Sequence, residues 1–319
     1  RISEASQLNF FKSAIRLFIS TPLGKFKIIM KNNINSLSHR SQEPKEGVLY
    51  LVGTPIGNLS DLSFRAENIL RNVSLIACED TRQTRKILNK FEIKNHLISF
   101  NQHNSKDKIP KIVNFLKEGK SIAIVSDAGL PTISDPGEEL VKNIRGEGFE
   151  AVCIPGPCAA LTALVSSGLP TSKFIFEGFL PKKQIQREKL LLEISQNQKT
   201  TILYESPHRL LRLLNELKLY CGGDREIIVA RELTKKFEEH IGHNIDRVIK
   251  IFEDKEIIGE FTIVIKGIKQ EKYKSINKLE IKNELDELIK IGLSLSSAAK
   301  FIAKKNNLPK NKVYNLFNE

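Results

Sequence analysis

From Gly47 onward, short apolar runs alternate with stretches in which apolar residues recur every three or four positions. The short runs are rich in Val and Ile, which is typical of strands, whereas the periodic stretches are typical of helices packed on a sheet. The clearest helix is Lys106–Glu118, whose apolar residues recur at i, i+3, i+4 and i+7 and which ends at Gly119. Five strands are predicted in this part: Val48–Val52, Ser74–Cys78, Leu97–Phe100, Ser121–Ser126 and Glu150–Ile154.

A second alternation follows the turn-forming segment Gly168–Thr171. Strand–helix alternation favours βαβ units and a largely parallel sheet. We therefore expect an α/β fold with two α/β domains, residues 47–168 and 169–270. The second domain is predicted to contain the helices Gln184–Gln196 and Pro207–Leu219 and the strands Phe174–Phe179, Thr201–Tyr204, Glu226–Ala230 and Glu260–Lys266.

Residues 271–319 predict three short helices, close to Asn283–Ile289, Ser296–Lys305 and Lys310–Phe317. This arrangement is typical of a helix-turn-helix-like module. Lysines on one face could bind nucleic acid or simply be solvated. The lysines expected on this face are Lys300, Lys304, Lys305, Lys310 and Lys312, and all but Lys300 are predicted RNA contacts.

Positive charge is concentrated at the two ends of the chain. The chain has 50 Lys plus Arg against 37 Asp plus Glu, a formal net charge of +13. Residues 1–46 contain eight basic and three acidic residues, and residues 271–319 contain ten and six. This distribution favours a polyanionic partner, nucleic acid before membrane, although solubility alone could explain it. No apolar run approaches the ~20 residues of a membrane-spanning helix.

Residues 1–46 show no clear period, and the only methionine of the chain is Met30. We treat this segment as an N-terminal extension that is disordered or not native, with translation starting at Met30 as one hypothesis. An organelle transit segment is the alternative. The four cysteines show no C-x-x-C spacing, so we expect reduced, mostly buried thiols rather than a disulfide framework.

Three turns rich in Gly and Pro follow predicted strands. They are Gly53–Leu59, Ser126–Pro131 and Pro155–Ala160. Ligands bind at the carboxyl ends of strands in open α/β sheets, so we expect the three turns to form one ligand site. Gly53 and Gly57 would let the backbone approach that ligand. The first turn matches neither G-x-G-x-x-G nor a Walker A loop, which disfavours an NTPase.

Charged residues at other strand ends are candidates for chemistry. Glu79, Asp80 and Arg82 follow the second strand, where they could accept a proton and hold an RNA phosphate, or simply cap a helix. Glu205, Arg231, Glu232, Thr234 and Lys235 suit a ribose and its phosphates, and a structural ion-pair cluster is the alternative. His103 and His208 rank below the acids as bases. His240 and His243 lack a third metal ligand nearby, so no metal is expected.

Eight motifs taken together make residues 47–319 resemble the ribosomal RNA small subunit methyltransferase I family, within the tetrapyrrole-methylase-like superfamily. Gly53 stands where that family often has Pro, and Leu130 where it usually has Thr. The motifs are Thr54–Leu59, Glu79–Arg82, Ser126–Gly129, Asp135–Gly137, Pro155–Ala160, Glu177–Pro181, Tyr204–Ser206 and Ala230–Lys235.

The resemblance implies 2′-O-methylation of a cytidine in small-subunit rRNA near the decoding centre. It implies a cytoplasmic homodimer that acts on this rRNA or on the assembling small subunit. The cofactor would be S-adenosyl-L-methionine, bound between the two domains by residues of the three turns: Gly53, Thr54, Pro55, Gly57, Asn58, Asp127, Ala128, Gly129, Pro131, Pro155, Gly156, Pro157 and Ala159.

Two other functions remain compatible with the sequence. One is a tetrapyrrole or protein side-chain methylase of the same superfamily, against which the basic C-terminal module argues. The other is a catalytically idle RNA-binding assembly factor, which would not bind the cofactor.

Overall fold

The first domain contains a five-stranded parallel sheet. The computed structural model describes residues 43–268, 278–306 and 308–317. The strands lie in the order β3-β2-β4-β1-β5, and all their pairings are parallel. Their bounds are β1 Val48–Val52, β2 Leu75–Cys78, β3 Leu97–Ser99, β4 Ile122–Val125 and β5 Glu150–Ile154.

Helices cover both faces of this sheet. Tyr50 and Ile76 point into the core on one face, and Leu49 and Ile122 into the core on the other. Strands buried on both sides are apolar at every position, which is why they appear in the sequence as continuous runs. The helices are α1 Phe64–Asn72, α2 Thr81–Lys90, α3 Ser105–Lys117 and α4 Glu138–Gly146.

The second domain has a mixed sheet, so the expectation of a largely parallel sheet was wrong here. The strand order is β6-β7-β10-β8-β9. Only β6 and β7 are parallel, whereas β10 runs antiparallel to β7 and β8, and β9 antiparallel to β8. The strands are β6 Phe174–Phe179, β7 Thr200–Glu205, β8 Glu226–Arg231, β9 Glu239–Asn244 and β10 Phe261–Ile265.

Edge strand β9 was not predicted from the sequence. Only Ile241 of its six residues is buried, so the strand lacks the alternation of apolar and polar residues that reveals half-buried strands. The helix that follows was also not predicted. The helices of this domain are α5 Ala159–Ser166, α6 Gln184–Gln196, α7 Leu210–Cys221 and α8 Ile245–Glu253.

Helix α5 connects the two domains. It precedes the predicted boundary at residue 168, but Ala160, Ala163 and Leu164 pack with Ile202 and Val264 of the second sheet. The helix therefore belongs structurally to the second domain, although it begins at the turn that follows β5 of the first domain.

Three helices complete the C-terminal module: α9 Lys278–Lys290, α10 Leu295–Lys305 and α11 Lys310–Asn315. This confirms the three-helix prediction for these residues. The helices form a small apolar core of their own around Leu285, Ile302 and Val313, and α11 packs on α6 and α7.

The predicted N-terminal extension, including Met30, lies outside the described residues except for its last four positions, 43–46. Within the described ranges, none of the helices combines the length and the apolar character needed to cross a bilayer. The cysteines are free, as predicted, but only Cys78 and Cys221 are buried. Cys153 is exposed because it lies on β5, an edge strand.

Candidate functional site

The three Gly/Pro turns meet at one edge of the first sheet because they follow three neighbouring strands, β4, β1 and β5. The Thr54 N–H donates to the Gly129 carbonyl oxygen at 2.9 Å, and the Gly129 N–H donates back to Thr54 at 3.1 Å. The Gly53 N–H donates to the carbonyl oxygen of Ile154 at 3.2 Å. Backbone hydrogen bonds therefore join the first turn to the second turn and to the end of β5.

The glycines of these turns permit contact between parts of the protein. A methyl group on Gly53 would lie 2.7 Å from the Cα of Gly156, and one on Gly156 would lie 2.8 Å from the Cα of Gly53. A methyl group on Gly57 would lie 2.9 Å from Oγ1 of Thr234 in the second domain. Each glycine therefore makes room for another loop of the protein, and its predicted approach to a ligand stays a prediction.

A cavity of about 360 Å³ lies between the two domains beside these turns. Its lining from the first domain comes from the turns after β1 and β4, and its other walls are formed by α5 and by the ends of β6, β7 and β10. The lining residues are Ile56, Ala128, Gly129, Leu130, Ile133, Ser134, Asp135, Cys158, Ala159, Phe179, Tyr204, Glu205, Ser206, Pro207, Gly259, Glu260, Phe261 and Thr262.

Of the predicted cofactor residues, three line this cavity: Ala128, Gly129 and Ala159. Thr54, Pro55 and Pro131 are buried in the turns and do not line it. The other predicted residues that do not line it are Gly53, Gly57, Asn58, Asp127, Pro155, Gly156 and Pro157.

Of the cavity wall formed by the ends of β6, β7 and β10 in the second domain, only Glu205 was among the predicted site residues. Tyr204 is its central residue: the hydroxyl accepts a hydrogen bond from the Ala160 N–H at 3.1 Å, and the Phe176 and Phe179 rings pack edge-on at 5.0 and 5.7 Å. Burial raises the pKa of Tyr204 above its ordinary value, so its hydroxyl remains protonated. Two signals pointed to it: its position at the end of a strand and its place in the motif Tyr204–Ser206.

Asp80 and Arg82 form the helix cap that was the alternative interpretation of their motif. Asp80 Oδ1 accepts from the Arg82 N–H at 2.8 Å, and its Oδ2 pairs with the Arg82 guanidinium at 2.8 Å. The hydrogen bond from the Arg82 side chain is the main cause that lowers the pKa of Asp80 to about 2. A carboxylate with so low a pKa is a weak base and is poorly suited to accept a proton.

Three further carboxylates lie near this cap. The Asp80 N–H donates to Asp127 Oδ1 at 3.1 Å, which links the segments after β2 and β4. Burial, with the Asp127 and Asp80 carboxylates nearby, raises the pKa of Glu79. Burial and the charge of Glu79 raise the pKa of Asp135 to about 6. Asp135 belongs to the motif Asp135–Gly137, but it was not among the predicted catalytic residues.

The charged residues predicted at strand ends of the second domain have protein partners. Glu205 is 2% exposed, and it pairs with Arg209 at 2.7 Å and with Arg187 at 3.8 Å, although part of it lines the cavity. Arg231 donates to the Ile258 carbonyl oxygen at 2.6 Å. These contacts agree with the alternative of a structural ion-pair cluster.

The loop after β8 joins the domains. Glu232 and Lys235 pair at 2.8 Å, and Lys235 also pairs with Glu260 at 2.8 Å. The Thr234 hydroxyl accepts from the Asn58 N–H at 3.1 Å, across the domain junction. Thr234 and Lys235, predicted to bind RNA, therefore already hold this junction together.

Lys310 does not lie on the exposed basic face where it was expected. The side chain is buried, and Nζ donates to the Tyr220 hydroxyl at 3.2 Å and to Ser296 Oγ at 2.9 Å. It also lies 4.9 Å from the centre of the Tyr220 ring. The reason is that the first turn of α11 packs against α7, so Lys310 anchors the module to the second domain.

Other lysines of the module surround a cleft between α7 and α10. The cleft has a volume of about 330 Å³ and is lined by Lys218, Lys300 and Lys304 among others. Lys305 pairs with Glu284 at 2.5 Å. Lys312 lies on α11 and is partly exposed.

His240 and His243 are exposed on edge strand β9. His240 Nε2 lies 2.9 Å from Glu238 Oε1, and across the residues that the structure describes no cluster of His, Cys, Asp or Glu could hold a metal ion.

The chain is similar to proteins of known families. Residues 48–248 match the model of the tetrapyrrole (corrin/porphyrin) methylases. Several curated relatives have the name ribosomal RNA small subunit methyltransferase I, and two of them are described here. The one from Bacillus subtilis is 44% identical over 275 residues, 85% of this chain and 94% of the relative. The one from Thermotoga maritima is 49% identical over 221 residues, 69% of this chain and 99% of the relative.

Solved structures share the fold at low sequence identity. A cobalt precorrin-4 methyltransferase superposes with a TM-score of 0.53 at 14% identity, covering 69% of this chain and 95% of that protein. A diphthine synthase superposes with a TM-score of 0.51 at 12% identity, covering 69% and 89%. These similarities concern the two α/β domains' fold alone.

Proposed function

Because the chain belongs to the ribosomal RNA small subunit methyltransferase I family, within the tetrapyrrole methylases, we propose that it methylates the 2′-oxygen of a cytidine in small-subunit rRNA near the decoding centre, using S-adenosyl-L-methionine. The observation that carries the proposal is the cavity between the domains, which lies where three neighbouring parallel strands end. This edge is the usual ligand site of open α/β sheets.

The cavity suits S-adenosyl-L-methionine in size and chemistry. Its volume of about 360 Å³ lies within the range of about 300–1,000 Å³ typical of small-molecule sites. Ala128, Gly129 and Ala159 leave space along one wall, and Tyr204 and Phe179 offer aromatic surface on the other.

The cofactor supplies a methyl group on a positively charged sulfur, which leaves as a neutral thioether. Apolar side chains such as Leu130 and Ile133 exclude water from the cavity. The enzyme's main task is to align the ribose oxygen, because a well-oriented attack accounts for a large part of the rate. A carboxylate then takes the hydroxyl proton.

The proposed enzyme is a homodimer. Helix α5 exposes Leu161 and Val165, at 45% and 78%, and these residues are one helical turn apart on one face. Exposed apolar residues beside a site are typical of protein interfaces. The proposed substrate would place the dimer in the cytoplasm, with small ribosomal subunits.

The test uses the purified full chain, labelled S-adenosyl-L-methionine and small subunits from cells lacking the enzyme. We expect label in rRNA, recovered as 2′-O-methylcytidine after digestion to nucleosides. Label on a porphyrinoid or a protein instead would favour a different methylase of the superfamily. Failure to bind the cofactor in calorimetry would favour the assembly factor.

A further inference from the structure

Asp135 lies between two cavities. The first is the cavity between the domains. The second, of about 570 Å³, lies in the first domain between the start of α3 and the start of α4. Among the residues that the structure describes, Asp135 alone lines both. A group bound in one cavity and a group bound in the other would meet at this carboxylate.

The second cavity suits a stretch of RNA. Lys106 and Lys142 line it and are exposed, so their ammonium groups are available to phosphates. Gln102 and Ser105 offer neutral hydrogen-bonding groups for ribose or base. Glu138 and Glu139 also line the cavity. It therefore offers cations for phosphates and carboxylates that can accept hydrogen bonds from the donor groups of a nucleotide.

Three other candidate acids near the site are already paired with cations. Asp80 pairs with Arg82, Glu205 with Arg209, and Glu232 with Lys235. Within the described ranges, Asp135 forms no ion pair, and Glu79 does not line the cavity between the domains. Asp135 is thus the carboxylate of this set that both faces the cavity and remains without a cation.

The groups that face Asp135 come from several elements. Glu79 after β2 and Asp127 after β4 contribute like charge, and Ser126 at the end of β4 lowers the pKa of the carboxylate in part. In the second domain, the charge of Asp135 contributes to the raised pKa of the Tyr204 phenol near the end of β7. Burial and the charge of Glu79 raise the pKa of Asp135 to about 6, which makes it a stronger base than an ordinary carboxylate and still leaves it ionised at neutral pH.

The loop that carries Asp135 is fixed by strained backbone. Thr132 and Ser134 have φ angles of 76° and 63°, in the left-handed region that residues other than glycine rarely adopt. Gly178 of β6 approaches so closely that a methyl group there would lie 3.0 Å from Ser134 Oγ. The second domain therefore helps to hold the position of Asp135.

We propose that Asp135 is the proton acceptor for the substrate ribose hydroxyl, and that the nucleotide reaches it from the second cavity. This rests on the proposed function. The hydroxyl proton passes to a carboxylate oxygen of Asp135 as the ribose oxygen bonds to the methyl carbon. The carbon–sulfur bond breaks, and its electron pair stays on sulfur.

The test measures single-turnover methylation of small subunits at saturating cofactor. We expect Asp135→Asn to lower the rate about 100-fold, within the usual range for a general base, and Asp135→Glu to recover part of it. The cofactor Kd, measured by calorimetry, should stay within about threefold, which also shows that the variant is folded. Asp224→Asn is the matched control, because Asp224 is exposed in a turn of the second domain and lines neither cavity.

The pH profile separates a base from a structural residue. The wild-type rate should rise as pH increases through about 6 and then level off, because the carboxylate must be ionised. The Asp135→Asn profile should be flat over that interval. A variant with the wild-type rate and profile, or one that loses cofactor affinity but keeps the saturated rate, would overturn the assignment.

The second cavity is tested by replacing Lys106 and Lys142 together with Ala. We expect the KM for small subunits to rise about tenfold with kcat unchanged, as for loss of uniform binding. An unchanged KM would remove this cavity from the RNA path. Wild-type protein that methylates no rRNA would instead overturn the proposed function itself, so the two failures are distinguishable.

Discussion

The Cα atoms of Gly53 and Gly156 are so close that neither residue can carry a side chain without movement of the other. A methyl group on Gly53 would lie 2.7 Å from Gly156 Cα. The first and third turns are therefore packed together in a way that a larger residue at either position would disturb.

We expect Gly53→Ala to lower the free energy of unfolding by about 1–3 kcal/mol, the usual effect of overpacking. The cofactor Kd should rise as the turns separate. Thermal unfolding and calorimetry measure the two effects. Gly146→Ala is the control, because nothing lies within 4 Å of the added methyl group. If the two substitutions had equal effects, the close approach would not limit stability.

Much of the fold could be predicted because buried parallel strands are continuous apolar runs. Strands β1 and β5 have the predicted bounds. Strand β9 could not be found, because it lies at an edge and buries only Ile241. Strand direction in the second sheet is a property of long-range pairing, and the order of elements does not determine it.

The convergence of the three turns could be predicted, but most of the residues that line the cavity could not. The three turns converge as expected, since neighbouring strands place them together. Which residue of a turn faces the cavity depends on backbone angles that cannot be predicted from the sequence alone. Asp135 lines the cavity without having been predicted there, and Pro131 was predicted there but is buried. The burial of Lys310 could not be predicted, because it depends on a contact with Tyr220, which is 90 residues away in the sequence.

Asp135→Asn should be more stable than the wild type at neutral pH. The folded pKa of about 6 is higher than the ordinary value of about 3.9, so the folded protein binds more protons between these values and loses stability as pH rises through them. Because the carboxylate is partly exposed, we expect the free energy of unfolding of the variant to exceed that of the wild type by about 1–2 kcal/mol at neutral pH. Near pH 3 the two should be equal. Urea unfolding at both pH values measures this. Lower stability of the variant at neutral pH would contradict the raised pKa.

Lys310→Ala should loosen the C-terminal module. The substitution removes two hydrogen bonds and the contact with the Tyr220 ring, which together stabilise the interface by about 1–3 kcal/mol. Hydrogen exchange should become faster in α11 and at its contact with α7, but not in the parallel sheet of the first domain. Lys290→Ala, at an exposed position in the last turn of α9, is the control. Equal exchange in both variants would mean that Lys310 is not the anchor.

The cleft between α7 and α10 should bind phosphates of the RNA. Lys300 and Lys304 line it together, whereas Lys305 is paired with Glu284 at 2.5 Å. Each phosphate contact to a single-stranded target contributes about 0.7 to the slope of log K against log salt concentration. Replacing Lys300 and Lys304 with Ala should therefore lower the slope by about 1.4, and Lys305→Ala should change it less. Filter binding of small-subunit rRNA over a range of salt concentrations measures the slopes. A larger change for Lys305→Ala than for the pair would place the RNA on the opposite face of the module.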